Sequence, residues 1–587
     1  MDDAGESGTS PTGTAAWHQV PHLLLALVAV VCLLAIVGWT GTPTRWEHWC
    51  TVSAGLAFSL ERMWAHRAEL VFGGWQRGEI FHLLLAVVVL GVSLALLVPA
   101  AAASRWSMGG HVFVLLAVIV SGLATLIYQQ ARLTALAFHP GLVLIGSFLI
   151  IIVGGALLLK MPRCTVEGLT CSWLDAFFTS TSAVCVTGLA VQNTATFFST
   201  TGQVVILLLI QVGGLGIMTL TFFVAVVLFE GLSLHDRLLL GKMLQENRLA
   251  RVAETLTFIV VMTFVCEGLG AVVLYGSMEG IADPGTRLFH AVFHSVSAFC
   301  NAGFSTLPDN LADIGLYENW IWQVVIMLLI IIGGLGTLVT EDISLWAVAK
   351  CRRLCKLEAR RVRLRVHTRL VLAVTAGLIL AGAAVIYTSE FILRDGPENG
   401  GNILTAFFHS VTARTAGFNT VSMSAIGTLT AQMLMILMLI GGSPGGTAGG
   451  IRTTVAAVGI AYLWNLMRMG RRGMVAFNRT IPAETGAQAL GLIVLAGIWL
   501  SANFIILQLL QTGSGIGETA LLFELISAFA TVGLSLDLTP TLTDGAKTLL
   551  IVNMFVGRIG LLTVMATLIP PDTRPASGKP QENILLT

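Results

Sequence analysis

Eleven long apolar runs allow this chain only a membrane-spanning fold. About 20 apolar residues are needed for one α-helix to cross a bilayer, and every run reaches that length. The composition agrees, since 55% of the residues are hydrophobic and only 11% are charged. Strands of membrane barrels show short alternating patterns instead, so continuous runs predict an all-α polytopic protein. The runs lie near residues 20–40, 80–103, 110–129, 139–160, 203–230, 254–276, 319–347, 368–389, 429–466, 485–511 and 546–569.

Four shorter, half-apolar segments lie between these runs. They cover 173–187, 286–301, 401–415 and 518–531, and they are too short to cross a bilayer, which is typical of re-entrant helices. Each segment leads to a glycine that an apolar residue follows. These glycines are Gly188, Gly303, Gly417 and Gly533, so they are spaced by 115, 114 and 116 residues. Four copies at one period indicate internal duplication.

The duplication predicts four units of helix, pore loop and helix, related by pseudo-symmetry around a central ion pore. The expected units are 138–230, 254–347, 366–466 and 485–569. Before them we expect a disordered tail over 1–19 and an extra transmembrane region of about three helices over 20–137, and after them a short tail over 570–587.

Basic links predict how the chain is oriented. The segment 350–369 contains nine Lys and Arg residues against one acid, and the links 231–253 and 464–480 are also basic. By the positive-inside rule these links are cytoplasmic, so the four glycine-ended loops open to the outside.

The four loops predict a cation filter. A half-helix that ends in a glycine loop presents backbone carbonyl groups, and four such loops form a ring that can replace the hydration shell of a cation. Glycine suits such a loop because a Cβ atom would forbid the dihedral angles it needs. No acidic ring accompanies the loops, which favours a weakly hydrated monovalent cation over Ca²⁺. The predicted filter residues are Val186, Thr187, Gly188, Asn301, Ala302, Gly303, Thr415, Ala416, Gly417, Thr531, Val532 and Gly533.

A second element recurs inside the helix after each half-segment, and it predicts a gate. It reads "VGGLG" at 212–216, "IGGLG" at 332–336, "IGGSP" at 440–444 and "VGRIG" at 556–560. In the third copy the helix is broken by Gly441, Gly442, Ser443, Pro444, Gly445, Gly446, Thr447, Ala448, Gly449 and Gly450. Such unwound backbone must be buried in protein or line a water-filled path. In the fourth copy Arg558 replaces a glycine, and a charge at membrane depth is usually functional.

These motifs together resemble the membrane pore subunit of the Trk/Ktr/HKT superfamily of potassium transporters. The resemblance covers 139–569 and rests on "VTGL", "CNAGF", "RTAGFN", "ATVGLS" and "GGSPGGTAGGIRTT". It implies K⁺ at the filter carbonyls, an intramembrane loop that obstructs the pore, and a multi-pass protein of the bacterial inner (plasma) membrane. In plant relatives a serine at the first filter glycine accompanies Na⁺ selectivity, so Gly188 favours K⁺.

The resemblance also implies partners: a second copy in a homodimer and a cytosolic ring of nucleotide-binding regulatory subunits. We expect no organic cofactor in this chain, and a net charge of +1 gives no reason to expect nucleic acid. The basic segment 350–369 is interpreted as a membrane anchor that could also dock the regulator or anionic lipid.

Two alternatives remain open from the residues. One is a Na⁺- or Na⁺/H⁺-coupled transporter, and the other is a membrane enzyme, which no HExxH or GxSxG motif supports. Other rare polar groups are interpreted as structural. Arg414 is expected to anchor an acid or loop carbonyls, Glu267 and Glu524 to be capping or packing partners rather than ion ligands, and His294 and His409 to be packing or hydrogen-bonded residues.

Overall fold

The computed structural model describes residues 45–65, 77–96, 110–118 without 112 and 116, 140–216, 252–278, 281, 283–312, 319–355, 362–393, 402–468, 475–477, 479–561 and 563–564. The expected tails 1–19 and 570–587 lie outside these residues, and so do the run 20–40 and nearly all of the link 231–253.

The described chain is helical apart from one two-stranded hairpin. Two amino-terminal helices, α1 and α2, pack on each other around Phe58 and Val89. The helices in chain order are α1 Arg45–Ala65, α2 Arg77–Leu96, α3 Pro140–Leu159, α4 Trp173–Val184, α5 Thr194–Phe197, α6 Thr200–Leu215, α7 Val252–Ser277, α8 Pro284–Phe299, α9 Trp320–Gly334, α10 Thr337–Leu354, α11 Val366–Tyr387, α12 Ile403–Thr412, α13 Thr428–Leu439, α14 Thr453–Met467, α15 Ala483–Leu510, α16 Glu518–Phe529 and α17 Asp544–Ile559. The strands are β1 Val475–Ala476 and β2 Arg479–Thr480, which pair antiparallel.

Several helices have the length and apolar composition of membrane spans. Among the described residues these are Glu254–Ser277, Val366–Ile392 and Ala483–Leu510, and the bent pair α9–α10 makes a fourth if it counts as one span. Three of the apolar runs predicted from the sequence, 254–276, 368–389 and 485–511, are therefore present as helices that could cross a membrane.

Half-helices α4, α8, α12 and α16 lie at the four predicted half-apolar segments. Polar residues begin three of them: Ser172, Asp283 and Asn402 each accept a hydrogen bond from a backbone N–H of the first turn. Each half-helix has only 10 to 16 residues and ends where the glycine loop begins. The carboxyl end of each of the four helices therefore leads directly into a glycine loop.

A serine anchors each of the first three half-helices to the long helix before it. Ser180 donates to the carbonyl of Ile152 at 2.7 Å, and Ser295 donates to that of Glu267 at 2.6 Å. Ser410 does the same to Ile379 at 2.8 Å. One turn along, a Cβ at Gly155, Gly270 or Gly382 would lie 2.4 to 2.5 Å from the serine Oγ. These small residues let the helices approach closely, as is common in membranes.

The run 319–347, predicted as a span, is not one straight helix but two helices joined by a sharp bend. Helix α9 ends at Gly334, and α10 begins at Thr337 with its axis bent by 109° from that of α9. The bend occurs at Gly336, whose φ of +83° favours glycine, and a Cβ there would lie 2.5 Å from the Pro444 carbonyl oxygen. The break therefore depends both on the glycine at this point of the repeated element and on a close contact with a distant loop.

The run 429–466 is broken in its middle, as its glycines predict. Helix α13 ends at Leu439 and α14 begins at Thr453. Helices α6 and α17 also end within the repeated glycine element, at Gly216 and Gly560, whose φ angles are +79° and +95°. The glycine element thus ends each of the inner helices α6, α9, α13 and α17 at or near the same point of its sequence.

Candidate functional site

Each half-helix is followed by a turn with an unusual backbone conformation. The residue two before the glycine adopts positive φ in all four loops: Val186 at 57°, Asn301 at 61°, Thr415 at 83° and Thr531 at 50°. Three of these side chains are β-branched, for which positive φ is strained. Such strain is retained where the surrounding structure fixes the conformation, and it is common at functional sites.

The four glycines bring the loops together in a ring. A Cβ at Gly188 would lie 2.3 Å from the carbonyl oxygen of Ala302, and one at Gly303 would lie 2.5 Å from that of Ala416. A Cβ at Gly417 would lie 2.3 Å from the carbonyl oxygen of Val532. A Cβ at Gly533 would lie 2.2 Å from that of Thr187 in the first loop, which closes the ring. Each glycine is therefore required by its contact with the next loop. All twelve residues predicted for the filter lie in these four loops.

Hydroxyl groups of the half-helices hold the loops from behind. Ser182 and Ser527 accept from the backbone N–H of Gly188 and Gly533 at 3.0 and 3.1 Å. Ser297 and Thr412 instead donate to the carbonyls of Phe304 and Phe418, both at 2.8 Å. Sequence reasoning missed this layer, although a hydroxyl residue recurs five or six positions before every glycine.

The third loop is one residue shorter than the others. Thr412 precedes its glycine by five residues, whereas Ser182 precedes Gly188 by six. The backbone compensates with a tighter turn, in which the backbone carbonyl of Thr412 accepts from Ala416 N–H at 2.8 Å and from Gly417 N–H at 3.4 Å. The ring is consequently not composed of four identical loops.

Two cavities flank the ring. A cavity of about 1010 Å³ lies among the segments that follow the glycines, and the exposed carboxylates of Asp309 and Asp537 line it. None of the described residues that line it is Lys or Arg. A cavity of about 280 Å³ lies where the inner helices end, and Arg452 and Arg558 line it. The larger cavity is therefore lined by acidic side chains and the smaller one by arginines.

The broken segment between α13 and α14 packs against the junction of α9 and α10. Its backbone groups pair with the end of α9: Ser443 N–H donates to the Gly334 carbonyl at 3.0 Å and Thr447 N–H to that of Gly333 at 3.3 Å. In return, Thr337 N–H donates to the Gly445 carbonyl at 3.1 Å. The unwound backbone is thus supplied with hydrogen-bond partners; it is buried at both ends and partly exposed in its middle, where Gly445 is exposed.

The same segment also touches two of the glycine loops. A Cβ at Gly449 would lie 2.1 Å from the Thr531 hydroxyl oxygen, and one at Gly441 would lie 3.3 Å from the Thr415 methyl group. The segment therefore lies directly against the third and fourth loops.

Three guanidinium groups bind the carbonyls of this segment. Arg558 donates to Thr447 and, at 2.5 Å, to Gly213 of α6. Arg414, predicted to anchor an acid or loop carbonyls, donates to Gly441 at 3.2 Å. Arg452 donates to Ala448 at 2.5 Å and to Ser443 at 3.4 Å; it was not predicted as a site residue, although it belongs to the motif that carries the resemblance.

Comparisons with known proteins agree with this architecture. The family model TrkH, described as "Cation transport protein", matches residues 107–573. The Ktr system potassium uptake protein B of Vibrio alginolyticus is 34% identical over 462 residues, which cover 76% of this chain and 95% of that protein. The potassium/sodium uptake protein NtpJ of Enterococcus hirae is also 34% identical, over 76% of this chain and 96% of NtpJ.

A solved structure shares the fold. The crystal structure of the potassium transporter TrkH from Vibrio parahaemolyticus superposes with a TM-score of 0.55, covering 93% of this chain and 99% of that one. Their sequence identity is 16%, so this likeness concerns the fold alone.

Proposed function

Because the chain belongs to the TrkH family of cation transport proteins, we propose that it carries K⁺ into the cell through the ring of four glycine loops. The observation that supports this most is the closed series of contacts between each glycine and a carbonyl of the next loop. Loops this close together bring many carbonyl oxygens around one axis. Carbonyls without carboxylates suit a weakly hydrated monovalent cation.

The proposed filter consists of the twelve residues that lead to and include the four glycines. In this proposal the four units are related by pseudo-fourfold symmetry about the pore axis. The shorter third loop departs from that symmetry. The acidic cavity is then the outer mouth, where its two aspartates attract cations.

The segment 441–450 is the proposed gate, with Arg558 as its latch. Two features support this role: the segment lies against the third and fourth loops, and its carbonyls accept hydrogen bonds from three arginines. Arginine below the filter also places positive charge where a cation would leave it, which opposes conduction. Opening therefore requires the segment to move and these hydrogen bonds to break.

Partners and location complete the proposal. The similar proteins are named as members of the Ktr and Trk potassium uptake systems, which supports a multisubunit assembly. We propose a homodimer in the bacterial plasma membrane, regulated by a cytosolic nucleotide-binding ring that contacts the basic link segments.

Sodium transport, alone or coupled to K⁺, is the second candidate. It rests on the similarity to NtpJ, whose name includes both ions. Gly188 at the first loop favours K⁺ over this alternative.

The test is K⁺ uptake in a bacterial strain that lacks its own K⁺ uptake systems. Growth at low K⁺ with the wild type and reduced K⁺ preference with Gly188→Ser would support both ion and filter. Gly168→Ser is the matched control, because Gly168 also has positive φ but has no atom within 4 Å of its Cβ position. Membrane-inserted protein that supports only Na⁺ flux would reject K⁺ as the substrate.

A further inference from the structure

One position of the half-helices is buried and polar in all four loops. It follows a fully buried phenylalanine, namely Phe178, Phe293, Phe408 or Phe523. The four residues at this position are Thr179, His294, His409 and Glu524, and each is at most 4% exposed. Buried polar groups at membrane depth cost free energy unless they are hydrogen-bonded, so this recurrence calls for a physical reason.

In three loops this side chain holds the chain segment that follows the glycine. His294 Nε2 lies 2.9 Å from the Ser305 hydroxyl, and His409 Nε2 lies 3.3 Å from that of Thr420. The carboxylate of Glu524 accepts from the Ser535 hydroxyl. Each partner lies two or three residues beyond its glycine. The hydroxyl layer fixes the chain close to the glycine, and this second layer fixes it further along.

The first loop has no such bond. Its residue at this position is Thr179, whose hydroxyl finds no hydrogen-bond partner in the described part of the chain. The residue two positions beyond Gly188 is Ala190, which has no polar side chain. At this position, therefore, the first loop lacks the attachment that the other three loops have; its segment is held further along, where Gln192 donates to Asp175 at 3.3 Å.

Glu524 is the one acid of the set and makes the strongest attachment. Its side chain is 0% exposed, and its second oxygen accepts from the Thr539 hydroxyl at 3.1 Å. No ion pair to Glu524 is present among the described residues; the nearest charged group of its own loop, Asp537, is exposed and also acidic. A buried carboxylate without a cation is costly, and here both of its oxygens serve the segment that leaves the filter.

We propose that Glu524 is a specificity-determining positioning residue of the fourth loop, and that His294 and His409 act in the same way in the second and third loops. The proposal rests on the function proposed above. A ring of carbonyls favours K⁺ over the smaller Na⁺ only while the loops keep their separation, since looser loops close around the smaller ion. Glu524 makes two hydrogen bonds to the segment beyond its glycine, whereas each histidine makes one, so the fourth loop resists this closure best.

Ion binding to the purified full-length chain tests this without needing an open gate. Melting temperature is measured against K⁺ and against Na⁺ concentration, because ligands that bind the folded state stabilise it. The variant Glu524→Gln keeps the size of the side chain but replaces one acceptor with a donor. Glu518→Gln is the matched control, since Glu518 is an exposed acid on the same half-helix.

We expect Glu524→Gln to lower the ratio of K⁺ to Na⁺ affinity by about tenfold, the effect of losing one buried hydrogen bond, while Glu518→Gln leaves it unchanged. A folded Glu524→Gln protein with the wild-type ratio overturns the inference, even if its melting temperature without ions is lower, because a merely structural role would show that result. If Glu524→Gln does not fold, the ratio of K⁺ to Na⁺ affinity is measured on Ser535→Ala instead, and the same two outcomes apply. A wild type that K⁺ stabilises no more than Na⁺ rejects the proposed function itself, and the inference with it.

Discussion

Arg558 donates a hydrogen bond to the carbonyl oxygen of Thr447, which lies 111 residues earlier in the chain. The same guanidinium reaches the Gly213 carbonyl of α6. One side chain of α17 thus joins the broken segment between α13 and α14 to the inner helix α6. These contacts give a physical reason for the arginine that stands in the fourth copy of the motif where the other copies have glycine.

Removing the charge of Arg558 should release the broken segment. For Arg558→Gln we expect basal K⁺ flux to rise by about tenfold, because charge-assisted hydrogen bonds to carbonyls are lost and the positive barrier below the filter disappears. Flux is measured as ⁸⁶Rb⁺ uptake into proteoliposomes.

The control for this experiment is Arg468→Gln. Arg468 is exposed at the end of α14, where it lies over the Trp464 ring. Unchanged flux in Arg558→Gln, at equal protein per vesicle, would contradict the gate assignment.

Gly336 should be far less replaceable than a glycine in the middle of a helix. A Cβ at Gly336 would meet the Pro444 carbonyl, and its φ is +83°, so Gly336→Ala should lower the free energy of unfolding by about 1–3 kcal/mol. Gly377→Ala in α11 meets no atom within 4 Å and should raise stability slightly, because alanine favours helix.

Thermal unfolding of the two variants in detergent measures this difference. If both variants unfolded at the same temperature, the bend between α9 and α10 would not depend on its contact with the broken segment.

The aspartates of the acidic cavity should matter most at low ionic strength. Asp309→Asn and Asp537→Asn each remove one negative charge from a cavity that no described Lys or Arg lines, so K⁺ uptake at low K⁺ should fall by about twofold. The difference should vanish as salt screens the charges. Asp544→Asn, at an exposed acid that does not line the cavity, is the control. A deficit that persists at high salt would indicate a structural defect instead.

Local sequence was enough to locate the features that glycine and charge determine. The four glycines predicted to meet do contact one another in a ring, and the broken segment and Arg558 do come together. The bend at Gly336 was missed, because hydropathy is continuous across it and the cause is a contact with Pro444. His294 and His409 are hydrogen-bonded as interpreted, but their partners and the hydroxyl layer were missed, since hydrogen bonds between residues six to eleven positions apart follow neither the helix nor the strand period.

Glu267 and Gln211 form a polar pair at a place where the other repeats are apolar. Glu267 occupies the same position in its helix as Ile152 and Ile379, because the backbone carbonyl of each accepts a hydrogen bond from a half-helix serine. Gln211 stands two residues before the first glycine of its repeated element, where the other copies have Ile331, Leu439 and Phe555. Gln211 Nε2 donates to Glu267 at 3.2 Å, and the Cys300 thiol lies 3.7 Å from the other carboxylate oxygen.

This pair predicts non-additive substitutions. Gln211→Leu alone should destabilise the protein by about 1–3 kcal/mol, because it leaves a buried carboxyl group without its amide donor. Adding Glu267→Ile should restore most of that loss, since apolar residues of similar volume often replace a buried polar pair without cost. Thermal unfolding of the two single variants and the double variant gives the coupling energy. Additive effects would mean that the two side chains do not depend on each other. Full restoration of stability with loss of K⁺ uptake would show that the pair is kept for transport rather than for folding.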